Sequence, residues 1–298
     1  MARTPRSDTE STSVPMGRWG QERRLDFIEF RVYWEGRINR SEITDHFGVS
    51  TQQASMDIAK YMAVAPGNIE YDKREKVYKK AGGFSPARAA SNANAFLSQL
   101  QSLALGTSST TSASIGWRPP HDVLRVPTRQ IRSDHLVTIL KGIRERLDIE
   151  VSYQSMRQDS VARKFISPHA IAYDSARWHV RAWCHQSNEF RDFTIARIQQ
   201  IHGLRPTSID PASDFLWHSI STVILKPKAE LSTSQRAAIE TEFVMTGGEL
   251  RVSLRRAMIF YFAKELQLLP GQKSSPRSQP IEWVNRSEFT ELLASFRK

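Results

Sequence analysis

The chain has 298 residues, 40% of them hydrophobic and 9% aromatic, and a formal net charge of +11 at pH 7. This length predicts two or three domains rather than one core, and the hydrophobic content is sufficient to fold them. The single cysteine excludes an internal disulfide and a cysteine-rich zinc site, while the positive charge favours a polyanionic partner such as nucleic acid.

Residues 1–19 are rich in Ser, Thr and Pro, which predicts a flexible tail. They lack the apolar segment of a secretion signal. No apolar run in the chain approaches the ~20 residues that span a bilayer. Together with the single cysteine, these features predict a cytoplasmic protein that does not associate with membranes.

Residues 20–83 contain three helical segments followed by a hairpin pattern, which predicts a winged helix-turn-helix domain. Ser41 is a candidate N-cap of the second helix, Gly48 permits the turn that ends it, and Ser50 caps the third helix. The buried stripe of the third helix is expected at Ala54, Ile58 and Tyr61. The polar side chains that remain are free to face DNA.

The third helix and the hairpin supply the residue types that bind DNA. Gln can pair with adenine, Ser and Thr can serve bases or phosphates, and a basic hairpin neutralises phosphates. The expected DNA contacts are Ser50, Thr51, Gln52, Gln53, Ser55, Lys60, Lys73, Arg74, Lys76 and Lys79. The alternative is a helical bundle with a solvated face, but the turn, caps, stripe and hairpin agree on DNA binding. The stretch "GVSTQQASMDIAKY" also resembles the DeoR-like winged helices of bacterial regulators.

Residues 84–130 follow as a helix of small residues, at about Pro86–Leu105, and a low-complexity linker, "TSSTTSASIG". This helix either exchanges between the subunits of a dimer or connects two domains, and the sequence leaves both open.

Residues 131–205 begin with a helix for which Ser133 is the expected cap. Four alternating segments follow, "IEVSYQ", "ARKFISPHAIAY", "RWHVRAWC" and "FRDFTIARIQQI". Their length and spacing predict a small antiparallel barrel or sheet.

The stretch "RWHVRAWCH" suggests a metal or catalytic site, but its spacing argues against both. Alternation places Trp178, Val180 and Cys184 on the core side of a strand. His179 and His185 are about 20 Å apart along an extended strand, too far to bind one metal ion. Cys184 and His185 point in opposite directions, which argues against Cys–His catalysis.

Arg181 lies on the opposite side of this strand, among arginines and aromatic residues of the neighbouring segments. Arg191 and Arg197 are expected on one face of the last segment, and Ser167 and His169 on one face of the second. Such a surface suits an anionic ligand such as a nucleic acid, because the arginines can bind its phosphates while the aromatic side chains stack on its bases. The alternative is that Arg197 or Arg191 pairs with Asp192, Asp174 or Glu150 as part of the scaffold.

Residues 131–205 resemble a WYL domain, through "VSYQS", "RKFISPHAIAYDSARWHVRAWC" and "FRDFTIARI". The triplet that names this family reads Trp178-His179-Val180 here. The resemblance implies an Sm-like or SH3-like β-barrel that senses a nucleic acid or nucleotide. The ligand contacts it implies are Tyr153, Ser155, Ser167, His169, Arg181, Arg191 and Arg197.

Residues 206–298 mix strand and helix, and the run from Met258 to Phe262 is too apolar for an exposed helix, so it belongs to a core or an interface. The layout as a whole is a multidomain α+β chain with an N-terminal winged helix-turn-helix, a central WYL barrel and a C-terminal αβ domain. This layout, its length and "STQQAS" are similar to the BrxR and CapW repressors of bacterial anti-phage islands. The resemblance implies a homodimer on an inverted-repeat operator, with the C-terminal domain aiding dimerisation.

Three function classes follow. The first is a repressor whose operator binding responds to an effector, and the second is an activator of the same architecture. The third is an enzyme acting on nucleic acid, but the sequence has no P-loop, no carboxylate pair near a metal motif and no Ser–His–Asp order. We therefore expect no enzymatic activity, no cofactor and no bound metal.

Overall fold

A computed structural model describes residues 16–88, 92–107, 113–272 and 275–296. The chain divides between Pro127 and Thr128 into two compact units. No helix of the described ranges is long and apolar enough to cross a membrane. Most of the predicted tail lies outside these ranges, as do parts of the predicted small-residue helix and linker.

The first unit begins with a winged helix-turn-helix, as predicted. Its elements are α1 (Met16–Glu35), β1 (Arg37–Ile38), α2 (Arg40–Phe47), α3 (Thr51–Val64), β2 (Ile69–Asp72), β3 (Val77–Lys80) and α4 (Ala93–Leu105). The strands form an antiparallel sheet in the order β1-β3-β2, so β1 adds a third strand to the predicted hairpin.

The starts of α1 and α2 differ from the sequence prediction. Helix α1 begins at Met16, inside the predicted tail. Adding residues to a helix that has already formed costs little free energy. The first turns of the helix also gain a cation–π contact, since the Arg23 guanidinium lies 4.9 Å from the Trp19 ring. Helix α2 is capped by Asn39 rather than Ser41. Asn39 accepts a hydrogen bond from the Ser41 backbone while Glu42 accepts one from the Asn39 backbone, which forms a capping box.

The turn between α2 and α3 is confirmed in detail. Gly48 has φ 65°, a left-handed conformation that costs glycine little, and Ser50 caps α3 by accepting a hydrogen bond from the Gln53 backbone. The apolar stripe predicted on α3 is buried against α1 and α2. This core contains Leu25, Ile28, Val32, Ile43, Ala54, Ile58 and Tyr61.

A buried carboxylate ties the segment that follows the wing to α1. Glu29 has no exposed surface, and it accepts hydrogen bonds from Tyr61 Oη at 3.1 Å and from the backbone nitrogens of Ala87 at 3.0 Å and Arg88 at 2.6 Å. Burial raises the pKa of Tyr61 to about 12, against the hydrogen bond from Asn68. Residues 85–88 are therefore held against the winged helix rather than forming the start of the predicted helix.

The helix predicted at Pro86–Leu105 is shorter in the structure and begins after the Asn92 cap. Leu100 of α4 packs with Phe30 of α1 and with Ile115, all buried. Part of the predicted linker thus returns to the first unit and contributes to a small core.

The second unit has two sheets. Its elements are α5 (Ser133–Glu145), β4 (Leu147–Tyr153), β5 (Ala162–Tyr173), β6 (Trp178–Cys184), β7 (Glu189–Thr194), β8 (Ile198–Pro206), α6 (Phe215–His218), β9 (Ile220–Pro227), α7 (Thr233–Glu242), β10 (Leu250–Arg255), α8 (Ile259–Glu265), β11 (Ile281–Trp283) and α9 (Thr290–Ser295). The central antiparallel sheet runs β7-β6-β5-β4-β8, and the C-terminal sheet runs β10-β9-β11. Because the described ladders do not pair β7 with β8, they outline a five-stranded sheet and leave the predicted barrel closure open.

Helix α5 packs closely on the central sheet. It starts at Ser133, so Ser133 is its first residue and Arg132 its N-cap, without a side-chain hydrogen bond. Gly142 is buried in the contact, where an added Cβ would lie 2.8 Å from Ile149 Cδ1 and 3.0 Å from Pro168 Cγ. The helix can approach the sheet this closely only because residue 142 lacks a side chain.

Three details of the central sheet correct the predicted strand faces. Trp178, expected in the core, is 48% exposed, because it sits at the first position of β6, beside the hairpin turn. A 3₁₀ turn over Ile195–Arg197 splits the last predicted strand, so Arg191 and Arg197 do not share a strand face. The register of β5 shifts between Pro168 and Ala170, which takes His169 out of the alternation that contains Ser167.

In the C-terminal part, the apolar run around α8 is core within this chain. Ile259 is fully buried, and Phe260 stacks on Phe296 with 5.0 Å between ring centroids. The predicted α7 is capped by Ser232 through a capping box with Gln235.

Candidate nucleic-acid interface and polar clusters

Helix α3 presents its N-terminal half to solvent. Thr51, Gln52 and Met56 are exposed there, and Lys60 is exposed one turn beyond Met56, whereas Ser50 uses its hydroxyl to cap the helix. These side chains occupy the part of a recognition helix that reaches base edges in winged helix-turn-helix proteins. Ser55 is less available, since its hydroxyl donates to the Thr51 carbonyl at 2.9 Å.

Gln53 is held by a buried ion pair that the sequence did not reveal. Its Nε2 donates to Asp57 Oδ1 at 3.1 Å, and Asp57 is fully buried. The same carboxylate accepts a hydrogen bond from Arg24 Nε at 2.6 Å, which joins α3 to α1. The Gln52 side chain is thus free to contact DNA, whereas the Gln53 amide is bound to Asp57, although both residues were expected to contact DNA.

The tip of the hairpin, which we call the wing, separates free cations from paired ones. Asp72 Oδ1 accepts hydrogen bonds from the backbone nitrogens of Arg74 and Glu75, which shapes the turn. Lys79 pairs with Asp72 and Glu75 at 2.7 Å each. Those hydrogen bonds raise the pKa of Lys79. Lys73, Arg74 and Lys76 are exposed, and their side chains have no partner among the described residues.

The first polar cluster of the second unit surrounds Asp214, and we call it the Asp214 cluster. Asp214 lies 2.7 Å from Arg181 Nε through Oδ2, 3.0 Å from Arg181 Nη2 through Oδ1, and 2.9 Å from His169 Nε2. Asp192 lies 3.3 Å from Arg181 Nη1. Arg181 is only 2% exposed. Strand β6 is therefore covered on both faces, by the apolar core on one and by this cluster on the other.

Electrostatics stabilise the charged forms in the Asp214 cluster. Burial alone would lower the pKa of Arg181, but the hydrogen bonds to Asp214 and the charge of Asp192 raise it. Burial likewise works against ionised Asp214, yet the hydrogen bonds from His169 and Arg181 hold the pKa of Asp214 far below its usual range. Both groups are charged at neutral pH.

The Asp214 cluster connects the central sheet to the C-terminal part of the chain. Asp214 caps α6, and Tyr261 of α8 donates a hydrogen bond to Asp192 at 2.9 Å. Burial raises the pKa of Tyr261. The Tyr261 ring lies 5.1 Å from that of His179, whose Nε2 is 3.0 Å from Asp174. Polar contacts thus run from the β5–β6 turn to α6 and α8.

A second polar cluster forms around Asp148 and includes Ser167 of β5. The Ser167 hydroxyl donates to Asp148 at 2.5 Å and lies 2.8 Å from His185 Nε2. Arg205 Nε donates to the same carboxylate at 3.0 Å, while its guanidinium stacks on Phe165. Burial would raise the pKa of Asp148, but these hydrogen bonds lower it.

The remaining predicted ligand residues are dispersed. Tyr153 is buried, and its hydroxyl accepts a hydrogen bond from the Thr194 backbone. The Ser155 hydroxyl accepts one from the Arg157 backbone. Arg191 is 46% exposed and pairs with Glu189, whereas Arg197 is half-buried and has no described side-chain partner. The structure joins His169 and Arg181 through Asp214, whereas Ser167 and Tyr153 have other hydrogen-bond partners.

The functional residues that sequence reasoning missed are carboxylates. Asp57, Asp148 and Asp214 each pair with an arginine or organise a cluster. Asp192 was expected as a scaffold partner of Arg191 or Arg197, but it pairs with Arg181 instead. The only sequence signal available was an acidic residue within an apolar alternation or stripe, as at Asp57. Within the described ranges no group of three or more His, Cys, Asp or Glu side chains is placed to hold a metal ion.

Comparisons with known proteins agree with this architecture. Residues 20–102 match the BrxR transcriptional regulator winged helix-turn-helix domain, residues 134–202 the WYL domain, and residues 220–289 the BrxR transcriptional regulator C-terminal dimerization domain.

Relatives that align over nearly the whole chain are all named DNA-binding transcriptional repressor CapW. The chain is 37% identical over 291 residues to the DNA-binding transcriptional repressor CapW of Pseudomonas aeruginosa, covering 97% of both chains. It is 38% identical over 290 residues to CapW of Stenotrophomonas maltophilia, again 97% of both, and 36% identical over 277 residues to CapW of Escherichia coli, 93% of both. With the winged helix, the WYL sheet and the C-terminal domain in this order, the chain belongs to the CapW family of transcriptional repressors.

Proposed function

We propose that this protein is a homodimeric transcriptional repressor that works in the cytoplasm and binds an inverted-repeat operator through α3 and the wing. The observation that carries the proposal is the exposed N-terminal half of α3, in the same unit as three unpaired cations of the wing, Lys73, Arg74 and Lys76. The α3 side chains supply base contacts, while the wing cations supply phosphate contacts. The relatives named as DNA-binding repressors support this assignment.

The first test is binding to DNA upstream of the protein's own gene, measured by fluorescence anisotropy at several salt concentrations. The slope of log affinity against log salt counts the phosphates that are neutralised, at about 0.9 per contact. Replacing Lys73 and Lys76 with Ala should reduce this slope by roughly 2. A slope unchanged in the double variant would remove the wing from the interface.

A matched control is Lys141→Ala, which removes an exposed cation from α5 that pairs with Glu145. It should leave the slope unchanged. A variant series in which Lys141→Ala acts as strongly as the wing variants would indicate a general effect of net charge rather than a local contact.

Dimer formation is tested by light scattering during size-exclusion chromatography. A dimer agrees with inverted-repeat operators, because two-fold protein symmetry matches two half-sites. The match of residues 220–289 to a dimerization domain supports this state. A monomer at micromolar concentration, or a footprint over one half-site, would contradict it.

We further propose that the central sheet senses a nucleic acid or nucleotide effector. Of the expected ligand contacts, Arg191 and Arg197 are the accessible cations for an anionic ligand, whereas the side chains of Arg181 and His169 are buried in the Asp214 cluster. Through Asp192 and Tyr261, that cluster gives a ligand on the sheet a route to the C-terminal part. An effector must bind the two states of the protein with different affinity in order to release the operator.

The effector proposal is tested with mono-, di- and cyclic nucleotides and short single-stranded oligonucleotides added to the operator complex. One class should release the operator, and Arg191→Ala with Arg197→Ala should abolish that release without altering operator affinity. Tyr261→Phe should leave effector binding intact but weaken the release. If none of these compounds changes operator affinity, the effector is not of this chemistry.

The regulated gene set is proposed to be a phage-defence operon. Deleting the gene should raise the transcript of the adjacent operon, as quantified by RNA sequencing. A fall in that transcript would identify an activator instead.

A further inference from the structure

A cavity lies between the N-terminus of α5 and β8, and it shares no lining residue with either polar cluster. It has a volume of about 400 Å³ and is lined mainly by polar side chains, including Arg132, His135 and Thr138 of the helix side and Gln200 and His202 of the strand. Small-molecule pockets fall in the range of roughly 300–1,000 Å³, so the cavity has the size of a ligand site.

The first feature that points to an anion is the helix end itself. Arg132 is the N-cap of α5, and no side chain of the cap accepts a hydrogen bond from the first turn. The leading backbone N–H groups of a helix lack partners within it and carry partial positive charge. At this helix end the backbone N–H of His135 stabilises the Asp134 carboxylate, so a phosphate would take the place of that carboxylate.

The second feature is independent of the helix end. His135 is only 6% exposed and lines this cavity, and its ring nitrogens have no hydrogen-bond partner within the described part of the chain. A polar side chain that is largely buried and has no partner in the chain needs water or a ligand in the cavity to complete its hydrogen bonds. Its imidazole therefore provides a donor that the folded chain itself does not use.

Two further groups in the lining can donate hydrogen bonds to an anion. His202 lies across the cavity, where its Nε2 is 2.7 Å from the Ser152 hydroxyl, so its ring is fixed while Nδ1 has no described partner. The Arg132 guanidinium is 62% exposed and is turned towards Asp134, with Nη2–Oδ2 at 2.6 Å and Nε–Oδ1 at 3.1 Å. Asp134 is the one carboxylate in the lining, and it forms an ion pair with Arg132, the arginine that would bind a phosphate.

We propose that this cavity binds a phosphate group, held by the N-terminal backbone of α5, by His135 and His202, and by Arg132 once it leaves Asp134. The room beyond one phosphate fits a nucleoside monophosphate. None of the residues implied by the WYL resemblance lines this cavity, so the site is separate from the proposed effector face.

Isothermal titration calorimetry of the full chain without DNA tests the site with three probes. Adenosine 5′-monophosphate should bind and adenosine should not, since the phosphate carries the recognition. Inorganic phosphate alone should compete with the monophosphate. Binding of adenosine as tight as that of the monophosphate would overturn the proposal.

Substitutions locate the binding. Arg132→Gln should weaken monophosphate binding about tenfold, as expected for loss of a charge-assisted hydrogen bond, and Asp134→Asn should tighten it by freeing the arginine. Matched controls sit near the other end of α5, where Arg144 pairs with Glu145. Arg144→Gln and Glu145→Gln should leave the affinity unchanged. Equal effects at both ends, or no effect of either substitution at the N-terminus, would exclude the site.

His135→Gln tests the buried donor and should reduce affinity while preserving the fold, as followed by circular dichroism. If this variant fails to fold, the two exposed variants still decide the question. Arg191→Ala, which addresses the proposed effector face, should not change monophosphate binding, so a failure of one proposal is distinguishable from a failure of the other.

Discussion

Arg181 and Asp214 form a bidentate ion pair, Nε–Oδ2 at 2.7 Å and Nη2–Oδ1 at 3.0 Å, with almost no surface exposed on either side chain. Removing one partner of such a pair leaves a buried charge without compensation, which typically costs about 3–5 kcal/mol. The pair also joins the central sheet to the cap of α6, so its loss affects more than one element.

Arg181→Met is therefore expected to reduce the free energy of unfolding by about 3 kcal/mol or more, because Asp214 and Asp192 lose their cation. Urea denaturation at one fixed protein concentration measures this change. The double variant Arg181→Met with Asp214→Leu should regain a large part of the loss. If the single variant unfolds at the same urea concentration as the unmodified chain, the pair does not stabilise the fold.

Gln52 and Gln53 should differ in their effects on operator recognition. Gln52 is exposed, whereas the Gln53 amide is bound by Asp57, so only Gln52 is free to pair with a base. Gln52→Ala should lower discrimination at one operator position by about 1–3 kcal/mol. Binding to operators with each base pair replaced in turn measures this, and Gln53→Ala should chiefly change stability. The reverse order would place Gln53 at the base edges.

Asp174 should contribute to acid sensitivity. Burial opposes ionisation, but hydrogen bonds from His179, Arg177 and the Ala176 backbone lower the pKa of Asp174 to about 2, from 3.8. Because the folded pKa lies below the unfolded one, the stabilisation is complete above about pH 4 and is lost as the pH falls towards 2. Denaturation between pH 5 and 2 should show a smaller decline for Asp174→Asn, which starts from a lower stability. Parallel pH curves for both proteins would contradict this.

Gly142→Ala should destabilise the second unit, although alanine favours helices. The new methyl group would meet Ile149 and the rigid ring of Pro168, and such overpacking costs about 1–3 kcal/mol. Gly20→Ala is the matched control in α1, since its Cβ would meet only Arg24 Nη1 at 3.4 Å. Thermal unfolding should show a lower melting temperature for Gly142→Ala and an unchanged or higher one for Gly20→Ala. A higher melting temperature for both would mean that α5 has room on the sheet.

Local signals predicted much of the fold. The Gly48 turn and the Ser50 cap depend on neighbouring residues, and the alternating segment Ala162–Tyr173 is a strand over the whole predicted length. Each of these features needs only a few consecutive residues to be specified.

The site was harder to predict because its partners are far apart in the chain. Arg181 and Asp214 are separated by 33 positions, and Tyr261 and Asp192 by 69. A strand pattern states which side of β6 Arg181 occupies but not that α6 covers that side. The 3₁₀ turn at Ile195–Arg197 was also hidden, because its residues continue the apolar alternation of a strand.

The carboxylate of Glu29 has a practical consequence for fragments of this chain. A fragment that stops after the wing, at residue 83, would leave Glu29 inside the protein without the Ala87 and Arg88 amides that satisfy it. A longer fragment that still ends before Ile115 would expose part of the Phe30 side chain, which Ile115 and Leu100 cover in the full chain. The smallest piece suitable for study in isolation therefore extends through Gly116, whose backbone nitrogen donates to Glu35 of the first helix.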